Sequence, residues 1–184
     1  MSLDLKGHAL CDAFHQPILN FLGDNPGDYL EIGLYYGHFF TRVADQFPNK
    51  SIIGIDPFIS DGYTRDAQGT IIIDIEEIAR YNASQVNNAT LYKTTTEDFL
   101  KREDAFQLVN NVSCVLIDGS HHYDDIMFDL NLVLGLQNDY DKFVIFDDLQ
   151  IQAVVASAAE LKNRLSGRIK DTYTGTNCEG IYFK

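Results

Sequence analysis

At 184 residues, 45% hydrophobic and 22% charged, the chain has the size and composition of one globular domain, residues 1–184, that buries a core without disulfide or metal staples. Its 27 acidic and 14 basic side chains leave a net charge of −13; such a surface repels phosphate backbones and acidic headgroups, and Lys101-Arg102 is an isolated basic pair, so no nucleic-acid or membrane partner is expected. No apolar run reaches bilayer length, no secretion signal is read, and Cys11, Cys114 and Cys178 show no metal spacing, so reduced thiols and a cytoplasmic setting are expected.

Along the chain, Ala9, Leu10, Ala13, Phe14, Ile18 and Leu22 recur at helical spacing within residues 1–25, with Pro17 as a kink. Residues 28–33 (DYLEIG), 51–56 (SIIGID), 89–92 (ATLY), 112–118 (VSCVLID) and 142–147 (KFVIFD) read as buried strands. Their near-continuous apolarity is the pattern of a parallel sheet covered on both faces. Thr95 and Asp98 resemble a capping box opening a helix through Leu108. Tyr123, Ile126, Met127, Leu130, Val133 and Leu134 form one helical face, with Asp124 and Asp125 in its first turn; Ile151, Val154, Val155, Ala158 and Leu161 form another, which Gly167 can stop. Residues 168–173 and 180–183 suit two final strands. The sum is a doubly wound, mostly parallel, Rossmann-like α/β sheet of about seven strands with helices on both faces. Residues 58–75 fit least well, and they read equally as a lid loop or as a surface insertion.

In such sheets ligands sit at the carboxyl ends of the strands, so the strand-ending residues belong together. The first strand ends in Glu31-Ile32-Gly33-Leu34-Tyr35-Tyr36-Gly37. Gly33 and Gly37 suit a tight turn, but Tyr35 stands where a dinucleotide fingerprint has its second glycine, so a pyrophosphate would be poorly cradled. Asp56 ends the second strand, 23 residues after Gly33; it can accept from both hydroxyls of a ribose or serve as a cap. Thr96 and Glu97 follow the third strand, where an adenine edge or helix capping would explain them equally. Asp118 with Gly119-Ser120-His121 ends the fourth, and Asp147-Asp148 ends the fifth. Three carboxylates brought together require a cation or solvent, and hard oxygen donors suit Mg²⁺ or Mn²⁺. The competing reading gives Asp118 to a cofactor and makes Asp148 a helix cap.

At these residues the chain resembles class I S-adenosylmethionine-dependent methyltransferases, and within them the macrocin and macrolide-sugar O-methyltransferase group. The resemblance spans about residues 26–150 and rests on E-I-G-x-Y-x-G (31–37), I-D-G-S-H-x-Y (117–123) and F-D-D (146–148). It implies S-adenosylmethionine as cofactor and a small-molecule hydroxyl, on a sugar, glycoside or catechol-like compound, as acceptor. Glu31, Gly33 and Tyr35, with Gly37 closing the turn, would line the methionine end; Asp56 would take the ribose, and Thr96 with Glu97 the adenine. Asp118, Asp147 and Asp148 would bind the metal, with Asp118 also beside the cofactor, and His121 would be the general base. Phe39 departs from the family, which often has a serine or threonine there for the methionine carboxylate; Thr41 or a backbone amide is the expected substitute. Lid segments of the sugar enzymes are largely absent, so the acceptor does not transfer, and a second copy could complete the site as a homodimer. A hydroxylase-like relative on the same fold and a catalytically silent cofactor-binding protein are the alternative readings.

Overall fold

The protein is described by a computed structural model for residues 12–59 and 74–184. Seven strands, β1 (Asp28–Ile32), β2 (Ile52–Asp56), β3 (Ala89–Lys93), β4 (Val112–Ile117), β5 (Lys142–Phe146), β6 (Ile169–Gly175) and β7 (Cys178–Phe183), form a sheet in the order β3-β2-β1-β4-β5-β7-β6. β1 to β5 are mutually parallel, whereas β7 runs antiparallel to both β5 and β6. The helices are α1 (Asp12–Asp24), α2 (His38–Gln46), α3 (Ile75–Ala83), α4 (Thr96–Leu100), α5 (Ala105–Leu108), α6 (Tyr123–Leu134) and α7 (Gln152–Arg164).

Strand residues alternate between two cores because successive side chains leave opposite faces of a pleated strand. Leu30, Ile32, Val115, Ile117, Val144 and Phe146 point to one side, where Ile126, Leu130 and Val133 of α6 and Val154, Ala158 and Leu161 of α7 meet them. Tyr29, Cys114, Leu116, Phe143 and Ile145 point to the other, against Phe14, Ile18 and Leu22 of α1 and Phe39, Phe40 and Val43 of α2. Burial on both faces explains why β4 and β5 read as unbroken apolar runs.

The chain moves outward from β1 to β2 and β3, then crosses back to place β4 on the other side of β1. That reversal opens the two flanking connections away from each other, so a crevice is expected above the carboxyl ends of β1 and β4. At the opposite ends of the strands two lysines are held by backbone carbonyls. Lys50 Nζ donates to Asn25 O and Gly27 O at 2.6 and 2.8 Å, and Lys142 Nζ donates to Asn138 O and Tyr140 O at 2.9 and 3.0 Å.

The helix expected from Thr95 to Leu108 is two short ones. Thr95 does cap α4, its hydroxyl accepting from Asp98 N at 3.1 Å. However, α4 ends at Leu100, and between it and α5 Arg102 pairs with Asp104 on the surface through two 2.9 Å contacts. α2 and α3 occupy stretches for which the sequence reading named no helix. α3 begins at Asp74, whose side chain accepts from Glu77 N at 3.0 Å. Pro17 lies inside α1, whereas Ala9, Leu10 and most of the 58–75 segment fall outside the described residues. Among the described residues no helix is long and apolar enough to cross a membrane.

Candidate functional site

The turn after β1 is shaped by close approach. A Cβ on Gly33 would lie 2.2 Å from Asp118 O, and its φ is +85°, so the glycine lets β1 and β4 come together rather than opening room for a ligand. Gly37, at φ +68°, precedes α2 as its N-cap without a capping side chain, a conformation that L residues other than glycine adopt only at a cost. Between them Tyr35 takes φ +51° and is partly exposed, its hydroxyl 3.2 Å from that of Tyr36.

Asp56, the last residue of β2, reaches across to this turn. Its Oδ2 accepts from Leu34 N at 2.7 Å and Tyr35 N at 3.2 Å, and its Oδ1 accepts from Phe58 N at 2.6 Å. Glu31 lies beneath the turn. It is 2% exposed and accepts from the Tyr29 hydroxyl at 2.8 Å; burial pushes its carboxyl up to about 8, with Tyr29 opposing and Asp56 adding. The Glu31 carboxyl is thus buried and engaged by Tyr29 rather than open to solvent at the turn.

At the ends of β4 and β5, Asp118, Asp147 and Asp148 each offer a carboxylate oxygen within 4.8 Å of the others. Burial raises the Asp118 pKa well above the carboxylate range, and Asp147, Glu31, Asp148 and Asp56 add to the rise in that order. Asp147 is raised too, first by burial and then by Asp148. Because β2, β1, β4 and β5 are parallel neighbours, Asp56, Asp118, Asp147 and Asp148, which end or directly follow three of them, lie along one rim of the sheet. Among the described residues no lysine or arginine pairs with the three. The partner present is His121, whose Nε2 lies 2.7 Å from Asp148 Oδ2. The other Asp148 oxygen accepts from Gln150, and α7 begins at a cap, Ile151, with no side-chain bond, so Asp148 is not a helix-capping side chain. Ser120 Oγ donates to Asp125 Oδ2 at 2.6 Å, ordering the loop that carries His121.

The adenine-side residues separate. Glu97 pairs with Lys101 at 3.0 Å on the surface. The Thr96 side chain is buried and hydrogen-bonds to Asp129 of α6, so at the rim Thr96 offers its backbone. Phe39 belongs to the core, stacked on His15 with ring centroids 4.1 Å apart. The Thr41 hydroxyl donates to Gly37 O at 2.7 Å, so its proton is engaged within the protein. Asp129, Gln150 and Tyr29 were given no role by the sequence, and Asp125 only a place in the first turn of α6. Only Tyr29 carried a signal, its two-residue offset from Glu31 on one strand face.

Among the described residues, four non-glycine residues with positive φ stand at this end of the sheet: Tyr35 after β1, Phe58 after β2, Asp148 after β5 and Asn177 between β6 and β7, at +51°, +51°, +62° and +58°. The conformation costs about 1–2 kcal/mol at Tyr35 and Phe58 and less at Asp148 and Asn177, whose side chains favour it. Two cavities lie elsewhere. One of about 350 Å³ is bordered by Leu22, Pro26, Phe47 and Lys50, and another of about 260 Å³ by Phe21, Phe143, Tyr173 and Tyr182. Residues 60–73, which follow β2 at the rim, lie outside the described residues.

The fold is an α/β sheet whose strand order reverses between β1 and β4, and the three-carboxylate cluster stands at that end of the strands. Residues 30–149 match the family described as Methyltransferase domain, and the chain belongs to that family. Protein R132 of Acanthamoeba polyphaga mimivirus is 27% identical over 123 residues, covering 66% of this chain and 51% of that protein, so the chain spans about half the length of this curated relative. Among solved structures, a putative O-methyltransferase from Klebsiella pneumoniae is similar with a TM-score of 0.67 at 14% identity, over 97% of this chain and 82% of that one. TomG of Streptomyces achromogenes, an O-methyltransferase involved in tomaymycin synthesis and solved with SAM, has a TM-score of 0.63 at 13% identity over 92% and 78%. CalS11, a calicheamicin methyltransferase, has a TM-score of 0.61 at 15% identity over 92% and 76%. At these identities the likeness is one of fold.

Proposed function

We propose that this chain transfers the methyl group of S-adenosylmethionine to a hydroxyl oxygen of a small molecule, a sugar, glycoside or catechol-like acceptor, assisted by Mg²⁺ or Mn²⁺ at Asp118, Asp147 and Asp148. One observation carries the reading: in a chain of the methyltransferase family, the glycine turn, Asp56 and a three-carboxylate cluster meet on one rim. The O-methyltransferases TomG, solved with SAM, and CalS11, described as a TDP-rhamnose 3'-O-methyltransferase, share the fold and support both cofactor and acceptor class.

The rim fits these ligands. Three carboxylate oxygens within 4.8 Å, crowded without a lysine or arginine, suit a hard divalent ion that keeps several waters. Such an ion would anchor the acceptor hydroxyl and make its proton more acidic. S-adenosylmethionine supplies an electrophilic methyl on a sulfonium, so the protein's tasks are in-line orientation and proton removal. The turn from Gly33 to Gly37, with Tyr35 and with Glu31 beneath it, would hold the methionine portion. Asp56 would face the ribose, and the chain at Thr96 and Glu97 the adenine. His121 would move the proton. With Nε2 engaged by Asp148, Nδ1 is the ring atom left to accept it, and the carboxylate fixes that tautomer.

S-adenosylhomocysteine release, measured over a panel of hydroxyl acceptors with and without Mg²⁺, tests the proposal. Asp118→Ala is expected to abolish turnover and metal dependence together. His121→Ala is expected to cut turnover about 10²–10⁴-fold, the usual worth of a general base, while metal binding persists. Full activity in excess chelator refutes the metal assignment, and an active His121 variant refutes the base.

A further inference from the structure

Asp56 makes more contacts than a ribose acceptor needs. Its two oxygens take three backbone N–H groups from two chain segments, the turn after β1 and the loop after β2. Two of those three donors, Tyr35 and Phe58, are left-handed non-glycine residues, which their local sequences alone would not hold in place. A carboxylate accepting several amides forms charge-assisted bonds, each stronger than a neutral one, and here they stand where the backbone is least comfortable. β1 and β2 are paired in parallel through Ile32 and Ile55, so the carboxylate ties together the two loops that leave those strands.

From this geometry we infer that Asp56 is a positioning residue: it clamps the glycine turn and the backbone at Phe58, directly after β2, into their binding shape before any ligand arrives. The location of the binding shape rests on the cofactor reading above, but the clamp does not need the cofactor. The carboxylate is saturated on the side of the two loops, so a ribose would be met by the lone pairs that remain, on an acid already fixed in direction. Preorganisation of this kind lowers the ordering cost that a ligand would otherwise bear.

The test is amide hydrogen exchange on the full chain without ligand, paired with thermal melting and with S-adenosylhomocysteine binding by calorimetry. In the wild-type protein the amides of Leu34, Tyr35 and Phe58 should be protected. In Asp56→Ala they should exchange about 10–100-fold faster, the ratio set by loss of one charge-assisted hydrogen bond, while core amides of β4 and β5 keep their protection. Phe58→Gly, which relieves the positive φ, should recover part of the melting temperature that Asp56→Ala loses. If Asp56→Ala does not fold, Asp56→Asn serves, because its single oxygen can satisfy one loop only, and protection should fall on one side alone. Unprotected amides in the wild type, or loss spread evenly through the core, overturn the clamp and leave the cofactor reading intact. Absence of S-adenosylhomocysteine binding to the wild type overturns the cofactor reading, and exchange still decides the clamp.

Discussion

The two ends of the parallel strands treat charge in opposite ways. At the amino ends, the amines of the partly buried Lys50 and the buried Lys142 are each met by two backbone carbonyls, and although burial lowers both pKa values, each ammonium has its acceptors. At the carboxyl ends, Asp118, Asp147 and Asp148 crowd within 4.8 Å, with His121 as the cationic-type neighbour. One edge is solved for stability. The other is left with repulsion that a bound cation would remove, and its backbone carries two strained aromatic residues, Tyr35 and Phe58. Unsatisfied electrostatics on one end of an otherwise well-paired sheet is a stronger pointer to function than any single motif.

That contrast can be broken or sharpened by substitution. The largest effect is expected from Gly33→Ala, whose Cβ would meet Asp118 O at 2.2 Å. It should cost more than about 3 kcal/mol of unfolding free energy, or prevent folding, because backbone rather than a flexible side chain fills the space; denaturant titration reads it. Next is Asp129, an acid buried under α4. Burial raises its pKa from 3.8 to about 7, with the Thr96 hydrogen bond opposing and Asp125 adding. The folded state binds this proton more tightly than the unfolded one, so stability falls as pH rises from about 4 to about 7. Asp129→Asn should therefore raise stability above neutral pH, by at most about 4 kcal/mol, with the gain vanishing below about pH 4. Melting curves across pH would show a constant gap if burial were not the cause. The smallest effect belongs to the amino edge: Lys142→Met strands the carbonyls of Asn138 and Tyr140 and should cost about 1–3 kcal/mol, with S-adenosylhomocysteine affinity unchanged. A shift in that affinity would mean that the two ends are coupled.

Much of the fold was legible because a strand covered on both faces has no polar side to show: VSCVLI and KFVIF announce β4 and β5 by composition alone. α2 escaped because it starts at Gly37 with no capping side chain, directly after a turn whose glycines drew the reading toward ligand binding. The break between α4 and α5 escaped because the apolar spacing runs on through it, although α4 ends at Leu100 and α5 begins at Ala105. The site divides likewise. That Asp56, Asp118, Asp147 and Asp148 lie at one rim follows from strand ends in a parallel sheet. Which way each polar group turns does not: Glu31 turns down to Tyr29, Thr96 inward to Asp129, and Asp56 toward three amides. Those directions are settled by tertiary packing, and they convert several expected ligand contacts into supports for the residues that would touch the ligand.

The sheet closes with β3 on one flank and β6 on the other, and both margins are guarded. β6 has mostly exposed or half-exposed residues, with Lys170 bound to Asp141, and β3 ends in Lys93 bound to Glu76. Charged margins of this kind discourage another strand from docking on the open backbone. Assembly of this protein by extending its sheet into that of a neighbour is thus disfavoured among the described residues.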